Sequence, residues 1–222
     1  MKKHLGTLIS AIMAGFCIGL GGTIFLRVKD AFPGANIVAA LLFSIGLFII
    51  CTRGYSLFTG KACYIFDNKP SYLISLLVIW VGNLLGTGIL ALVERATPLC
   101  NPETGMQLAA QALVETKMSY SLVSVFLLAC LCNIFIYLAV NGYANIPHEA
   151  GKYLAIFLCV MGFILAGTEH SIADMYYWAV SGVLFSAPGK SLLYLAVISL
   201  GNVAGGLVLP LLEKLHGYLT AE

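Results

Sequence analysis

Residues 152–185 read KYLAIFLCVMGFILAGTEHSIADMYYWAVSGVLF. The apolar run 152–166 is interrupted at residues 167–171 and resumes at Tyr176. Glycine and polar side chains inside such a run break a membrane helix. The freed backbone groups are tolerated only where protein covers them or where they line a wet cavity. This stretch therefore predicts a membrane span made of a broken helix beside a buried polar site.

A second interruption lies in the first half of the chain. The apolar run 37–50 ends at residues 51–60, CTRGYSLFTG, and resumes briefly before Asp67. Residues 82–86, GNLLG, return as GNVAG at 201–205. These pairs predict two three-helix repeats, about 1–100 and about 110–222, and an odd number of spans per repeat makes the repeats inverted. In such folds the two broken helices meet near the midplane and form the permeation site.

The composition places the chain in a membrane. Of its 222 residues, 60% are hydrophobic and 10% are charged, whereas a soluble domain has about 25% charged residues. The mean hydropathy is +0.94. The net charge of +2 favours neither a nucleic acid nor an acidic surface as a partner. We therefore predict an integral membrane protein that contacts lipid and binds no nucleic acid.

Six apolar runs are long enough to be considered as spans: 5–26, 37–50, 72–93, 122–140, 152–166 and 192–212. Runs that are apolar on all faces favour helices over barrel strands, so we predict one all-α transmembrane domain over residues 1–222. The first run exceeds a signal-peptide core and is predicted to be retained. The polar stretch 94–117 is predicted to be a loop. Lys2 and Lys3 favour cytoplasmic termini in the cytoplasmic membrane.

His170 is the histidine that falls inside a span, next to Glu169 and four residues before Asp174. An ionisable group at membrane depth is costly, which favours a role in a pathway, and histidine titrates near neutrality. The alternative is a histidine whose hydrogen bonds only hold the broken helix. Glu169 is predicted to support the break by accepting hydrogen bonds from backbone N–H groups.

Three further polar residues have two interpretations each. Lys117, just before the fourth span, either attracts anions to a vestibule or snorkels to the interface. Asn133, within the fourth span, either bonds across helices or faces a pore. Thr59, at the end of the first break, offers a hydroxyl to a dehydrated ion or caps a short helix.

Several apolar side chains are candidates for constrictions that exclude hydrated ions. Phe43 and Leu47 are four residues apart and share one helix face. The full set of candidates is Phe43, Leu47, Leu57, Phe58 and Phe163. The seven cysteines are scattered without a CxxC pair, and HExxH and GxSxG are not in the sequence. We therefore predict no metal site and no cofactor.

Three motifs resemble those of the formate/nitrite transporter family. They are GYSLFTG at 54–60, CNIFIYLA at 132–139 and EHSIA at 169–173, in order on six spans. The resemblance covers essentially the whole chain. The chain departs from the family pattern at Tyr55, Ser56 and Lys61, and Asp174 stands where asparagine is common.

The resemblance implies an aquaporin-like fold that assembles as a homopentamer, with one pore per protomer for small monovalent anions such as hydrosulfide, formate or nitrite. It is nearest to the hydrosulfide branch. The family's central histidine falls on His170, its loop threonine on Thr59, its vestibule lysine on Lys117 and its pore asparagine on Asn133. Its narrow points match the five apolar candidates named above.

Two other functions remain open at this level. An aquaporin-like channel for water or small neutral solutes would share the fold, but the sequence has no Asn-Pro-Ala pair. An intramembrane enzyme would use His170 and Glu169, but the sequence offers no recognisable metal site or catalytic triad around them. A passive or proton-linked channel for anions of weak acids, without enzymatic activity, is the function we expect.

Overall fold

The computed structural model describes residues 2–100 and 105–221, and the long elements within these residues are all helices. The α-helices are α1 (Lys2–Ala31), α2 (Asn36–Phe43), α3 (Ile45–Arg53), α4 (Phe58–Ala62), α5 (Tyr72–Arg95), α6 (Met106–Ser119), α7 (Leu122–Asn145), α8 (Glu149–Leu165), α9 (Ser171–Ser181), α10 (Val183–Ser186) and α11 (Pro188–Thr220). Short 3-10 turns, Ile65–Asp67 and Pro98–Cys100, flank α5.

The described residues contain five helical segments that are long and apolar enough to cross a membrane: His4–Ala31, Asn36–Arg53, Tyr72–Arg95, Leu122–Asn145 and Pro188–Thr220. The second segment combines α2 and α3, which join at Ser44 in helical conformation. The remaining predicted span is divided between α8, of 17 residues, and α9. The predicted all-α membrane fold, interrupted in spans two and five, is confirmed.

The prediction of a loop over the whole stretch 94–117 is wrong for much of its length. Residues 101–104 lie outside the described part of the chain, but α6 begins at Met106 and α5 extends to Arg95. The buried residues Met106, Ala110, Val114 and Lys117 recur every three or four positions. They form one helix face, and α6 packs against α9. The polar residues between them obscured this amphipathic pattern in the sequence.

The two halves run in opposite directions. Near the end of α11, Lys214 Nζ lies 2.5 Å from Asp67 Oδ1, just before α5. Near its start, the Tyr194 hydroxyl donates a hydrogen bond of 2.9 Å to the carbonyl of Tyr120, just before α7. The chain crosses the membrane along α1 and returns along α2 and α3, so α5 starts at the same face of the membrane as α1. Because α11 ends next to the start of α5 and begins next to the start of α7, α7 starts at the opposite face. The end of α11 therefore lies at the same face as the start of α1.

Close helix crossings repeat in both halves. A Cβ atom on Gly86 would lie 2.2 Å from the carbonyl oxygen of Ile12, and one on Gly205 would lie 1.9 Å from that of Cys130. Such distances are far below van der Waals contact, so only glycine allows α5 to approach α1 and α11 to approach α7. The repeated Gly-Asn-x-x-Gly motif marks these two crossings.

Candidate functional site

The second break is tied to its neighbouring span by one buried asparagine. Asn202 Oδ1 accepts a hydrogen bond from the backbone N–H of Ser171 (2.9 Å). The Asn202 amide nitrogen donates to the carbonyl oxygens of Glu169 and Ala129, both at 2.9 Å. One side chain thus satisfies backbone groups on both sides of the break, which helical hydrogen bonds leave free.

Asn83 does the same for the first break. Its Oδ1 accepts from the N–H of Phe58 (2.8 Å), and its amide nitrogen donates to the carbonyls of Ser56 (3.0 Å) and Ala11 (2.8 Å). Leu57 and His170 therefore occupy equivalent positions, each directly before a short helix. The sequence marked both asparagines as part of a repeat but not as ties for the breaks.

His170 lies in the interior, 2% exposed, at the N-cap of α9. Its Nδ1 accepts a hydrogen bond from the backbone N–H of Ala173 (3.1 Å), which requires that Nδ1 carry no proton. In a neutral imidazole the proton is then on Nε2, which donates to Thr59 Oγ1 at 3.0 Å. His170 is therefore set as a neutral hydrogen-bond donor, because protonation of Nδ1 would remove the cap.

Aromatic rings cover one side of His170. The Phe163 ring stacks on the imidazole with centroids 5.5 Å apart and planes inclined by 14°. Phe43 meets Phe163 edge to face at 6.2 Å. These two predicted constriction residues are 1% and 3% exposed, so they form an apolar layer directly against the histidine.

A charged triad lies on the same side of His170. Lys117 Nζ forms a salt bridge with Glu169 Oε2 and lies 2.9 Å from Asp174 Oδ1. The side chains of both acids are 1% exposed, and that of Lys117 is 11% exposed. One ammonium group thus faces two buried carboxyl groups. The sequence placed Asp174 four residues after His170 and marked it as a departure from the family pattern, but nothing local reveals that α6 brings Lys117 to it.

The structure differs from the prediction for Glu169. Its carboxylate pairs with Lys117, while Asn202 ties the backbone of the break. The backbone N–H of Glu169 donates to the carbonyl of Leu128 at 3.4 Å. A buried carboxylate gains more from a cation than from neutral donors, and Lys117 lies within reach.

Two cavities are lined by residues of this site and of the neighbouring helix turns. The first, which we call the lysine cavity, has a volume of about 140 Å³. The residues that line it include Lys117, Glu169, His170, Asp174, Phe43, Phe163, Phe25 and Tyr177. The second, which we call the wide cavity, has a volume of about 820 Å³. Its lining includes Leu47, Leu57, Ser56, Lys61, Asn141 and Asn145.

Four of the five candidate constriction residues divide between these cavities. Phe43 and Leu47 are one helical turn apart, yet Phe43 lines the lysine cavity and Leu47 lines the wide cavity. Leu57 lines the wide cavity, whereas its repeat equivalent His170 lines the lysine cavity. Neighbouring positions therefore line different cavities, and each cavity has an apolar side chain at this boundary: Phe43 in the lysine cavity and Leu57 in the wide cavity.

Three predicted site residues line neither of these cavities and are fully or almost fully buried: Phe58, Thr59 and Asn133. The Asn133 amide nitrogen donates to the carbonyl of Thr59 (3.1 Å), which attaches α4 to α7, and its Oδ1 has no hydrogen-bond partner among the described residues. Thr59 contacts His170, and the N–H of Phe58 is bound by Asn83.

The comparisons with known proteins agree with this architecture. The sequence profile of the family described as "Formate/nitrite transporter" matches residues 2–214. The uncharacterized transporter YwcJ of Bacillus subtilis is 30% identical over 218 residues, covering 90% of this chain and 84% of YwcJ. The nitrite transporter NirC of Escherichia coli is 28% identical over 225 residues, covering 93% and 81%.

A solved structure described as a pentameric formate channel with formate bound has the same fold. It superposes with a TM-score of 0.83 at 24% identity and covers 99% of each chain. The profile match extends over nearly the whole sequence, and the resemblance seen in the three motifs is thereby confirmed. The chain belongs to the formate/nitrite transporter family and is a multi-pass membrane protein.

Proposed function

We propose that this protein is a channel that passes small monovalent anions of weak acids across the cytoplasmic membrane. The observation that carries the proposal is a buried lysine and a buried hydrogen-bond-donating histidine in one cavity, with apolar side chains between it and a second cavity. The relatives add support, since NirC is named a nitrite transporter and the pentameric structure is named a formate channel.

In this proposal an anion enters the lysine cavity by attraction to Lys117. Of the described residues that line this cavity, Lys117 is the one with a permanent positive charge. A positive charge in a narrow, low-dielectric space raises the local concentration of anions. The anion then meets the apolar rings of Phe43 and Phe163, which offer no replacement for lost water.

At this layer, His170 supplies the polar contact that the apolar side chains lack. Its Nε2–H is aimed at Thr59, so an anion that displaces or joins the Thr59 hydroxyl can accept a hydrogen bond from the ring. Asn133 acts indirectly by holding the backbone of Thr59. Leu57 and Leu47 then form the second apolar layer before the wide cavity.

We extend the proposal to assembly and orientation. The protein is a homopentamer in which each single-domain protomer has its own pore, and the outward apolar side chains, such as Leu73, Leu77 and Leu158, contact lipid or a neighbouring protomer. The first helix begins and the last helix ends at one face, and Lys2 and Lys3 favour the cytoplasmic side for this face. The protein acts as a conduit and not as an enzyme.

Reconstitution into proteoliposomes tests this function. Influx of formate, nitrite, hydrosulfide and chloride is measured under matched gradients, together with water and glycerol permeation by shrinkage and swelling. We expect weak-acid anions to pass and chloride and glycerol to be excluded, and the ranking assigns hydrosulfide, formate or nitrite as the preferred anion. Glycerol or water permeation without anion flux would instead support a channel for neutral solutes.

A further inference from the structure

The lysine cavity is lined by two carboxyl groups, of Glu169 and Asp174, and by one ammonium group, of Lys117. If both carboxyl groups are ionised, the ammonium group balances only one of them. Lys117 pairs with Glu169 and also lies 2.9 Å from Asp174 Oδ1. Asp174 Oδ2 is buried and has no hydrogen-bond partner among the described residues. The Asp174 side chain lines the cavity wall and is 1% exposed, so water compensates little of its charge.

The charge count of this triad decides whether an anion is attracted. With both carboxyl groups ionised, the triad has a net charge of −1, and an incoming anion is repelled. With one proton bound the triad is neutral, and with two protons it has a net charge of +1. Two carboxyl groups that share one site in a low dielectric do not ionise together readily.

We propose that Asp174 is a specificity-determining residue of the channel: it obliges an anion to occupy the lysine cavity together with a proton. The inference rests on the proposed function and deepens it. The proton comes from water at the mouth of the cavity and binds to the Asp174–Glu169 pair. The triad is then neutral, so Lys117 can attract the anion. An anion of a weak acid meets its proton at this place before it reaches His170.

Other titratable groups around Asp174 do not offset this charge. Lys117 on α6 is the cation already counted, and Glu94 on α5 is engaged by Tyr176 and Thr23 instead. The groups that face Asp174 from the elements packed around it are Lys117, Glu169, His170, Tyr177 and Cys132. Of these, His170 is held neutral by its cap, so the carboxyl pair is where a proton is gained or lost.

The Asp174→Asn variant tests the inference because it keeps the side-chain volume and removes one negative charge. Formate influx into proteoliposomes is measured from pH 5.5 to pH 8, with protein-free liposomes subtracted and the oligomer checked by gel filtration. In the wild type we expect flux to fall by as much as about tenfold per pH unit on the alkaline side. In Asp174→Asn the Lys117–Glu169 pair is neutral without a proton, so flux at pH 8 should rise about tenfold above wild type and depend little on pH.

A matched control removes a carboxylate from the same region outside the cavity. Glu115 is exposed on α6, and Glu115→Gln should keep the wild-type profile. If Asp174→Asn fails to assemble, Asp174→Ser removes the same charge with less volume. A variant that conducts with the wild-type pH profile overturns the role of Asp174. A wild type that passes no anion at any pH overturns the proposed function itself.

Discussion

Replacing Asn202 with alanine removes three buried hydrogen bonds at once. The lost contacts are those to the N–H of Ser171 and to the carbonyls of Glu169 and Ala129. Asn202 is 0% exposed, so water cannot easily replace the amide. Each buried group left without a partner costs about 1–3 kcal/mol. We therefore expect Asn202→Ala to lower the free energy of unfolding by about 3–9 kcal/mol.

Thermal unfolding of the purified protein in detergent measures this loss. For a protein of this size, the loss corresponds to a fall in the melting temperature of about 10 °C or more. Anion flux, measured below the melting temperature, should fall too. Asn202 holds the backbone at Glu169 and Ser171, on either side of His170, and its loss should let the imidazole ring move.

Asn145→Ala is the matched control. Asn145 is exposed at the end of α7, and its amide bonds to Asn141 within the same helix. Its replacement should move the melting temperature by no more than about 2 °C. If Asn202→Ala melts as close to wild type as this control does, the amide does not hold the break, and the account of the two asparagine ties is refuted.

Three further substitutions test separate parts of the site and the fold. Lys117→Met should reduce anion flux at least about tenfold and lower the melting temperature, because two buried carboxyl groups lose their cation. Lys190 lines neither cavity, so the control variant Lys190→Met should conduct normally. His170→Phe removes the donor to Thr59 and the cap of α9, so flux should fall at least about tenfold. Stability should fall by about 2–6 kcal/mol, because two buried groups lose their partners; unchanged flux and pH dependence would remove His170 from the mechanism. Gly205→Ala forces a Cβ against a backbone carbonyl 1.9 Å away and should cost about 1–3 kcal/mol in thermal unfolding, whereas Gly88→Ala, with open space at its Cβ position, should be tolerated; equal melting temperatures would contradict the close crossing.

The membrane class, the spans and the two breaks could be predicted from the amino-acid sequence. Each of these features depends on a local pattern. An apolar run of about 20 residues forms a membrane helix in most cases. Polar residues and glycine inside such a run end the helix. The repeated Gly-Asn-x-x-Gly motif could likewise be recognised in the sequence, since both close helix crossings need a small residue at the same position of the motif. His170 stood out because an ionisable group inside an apolar run is costly.

The tertiary structure alone decided which groups meet. Lys117 reaches Glu169 and Asp174 across 52 and 57 positions of the chain, and Asn83 and Asn202 reach breaks in other helices. The sequence predicted that Glu169 supports the backbone because a pairing with Lys117 arises from helix packing, to which neighbouring residues contribute no signal. It predicted a loop over 94–117 because polar residues obscured the amphipathic pattern of α6. The division of Phe43 and Leu47 between two cavities has the same origin: a helix face is local, but what covers each turn of it is set by the other helices.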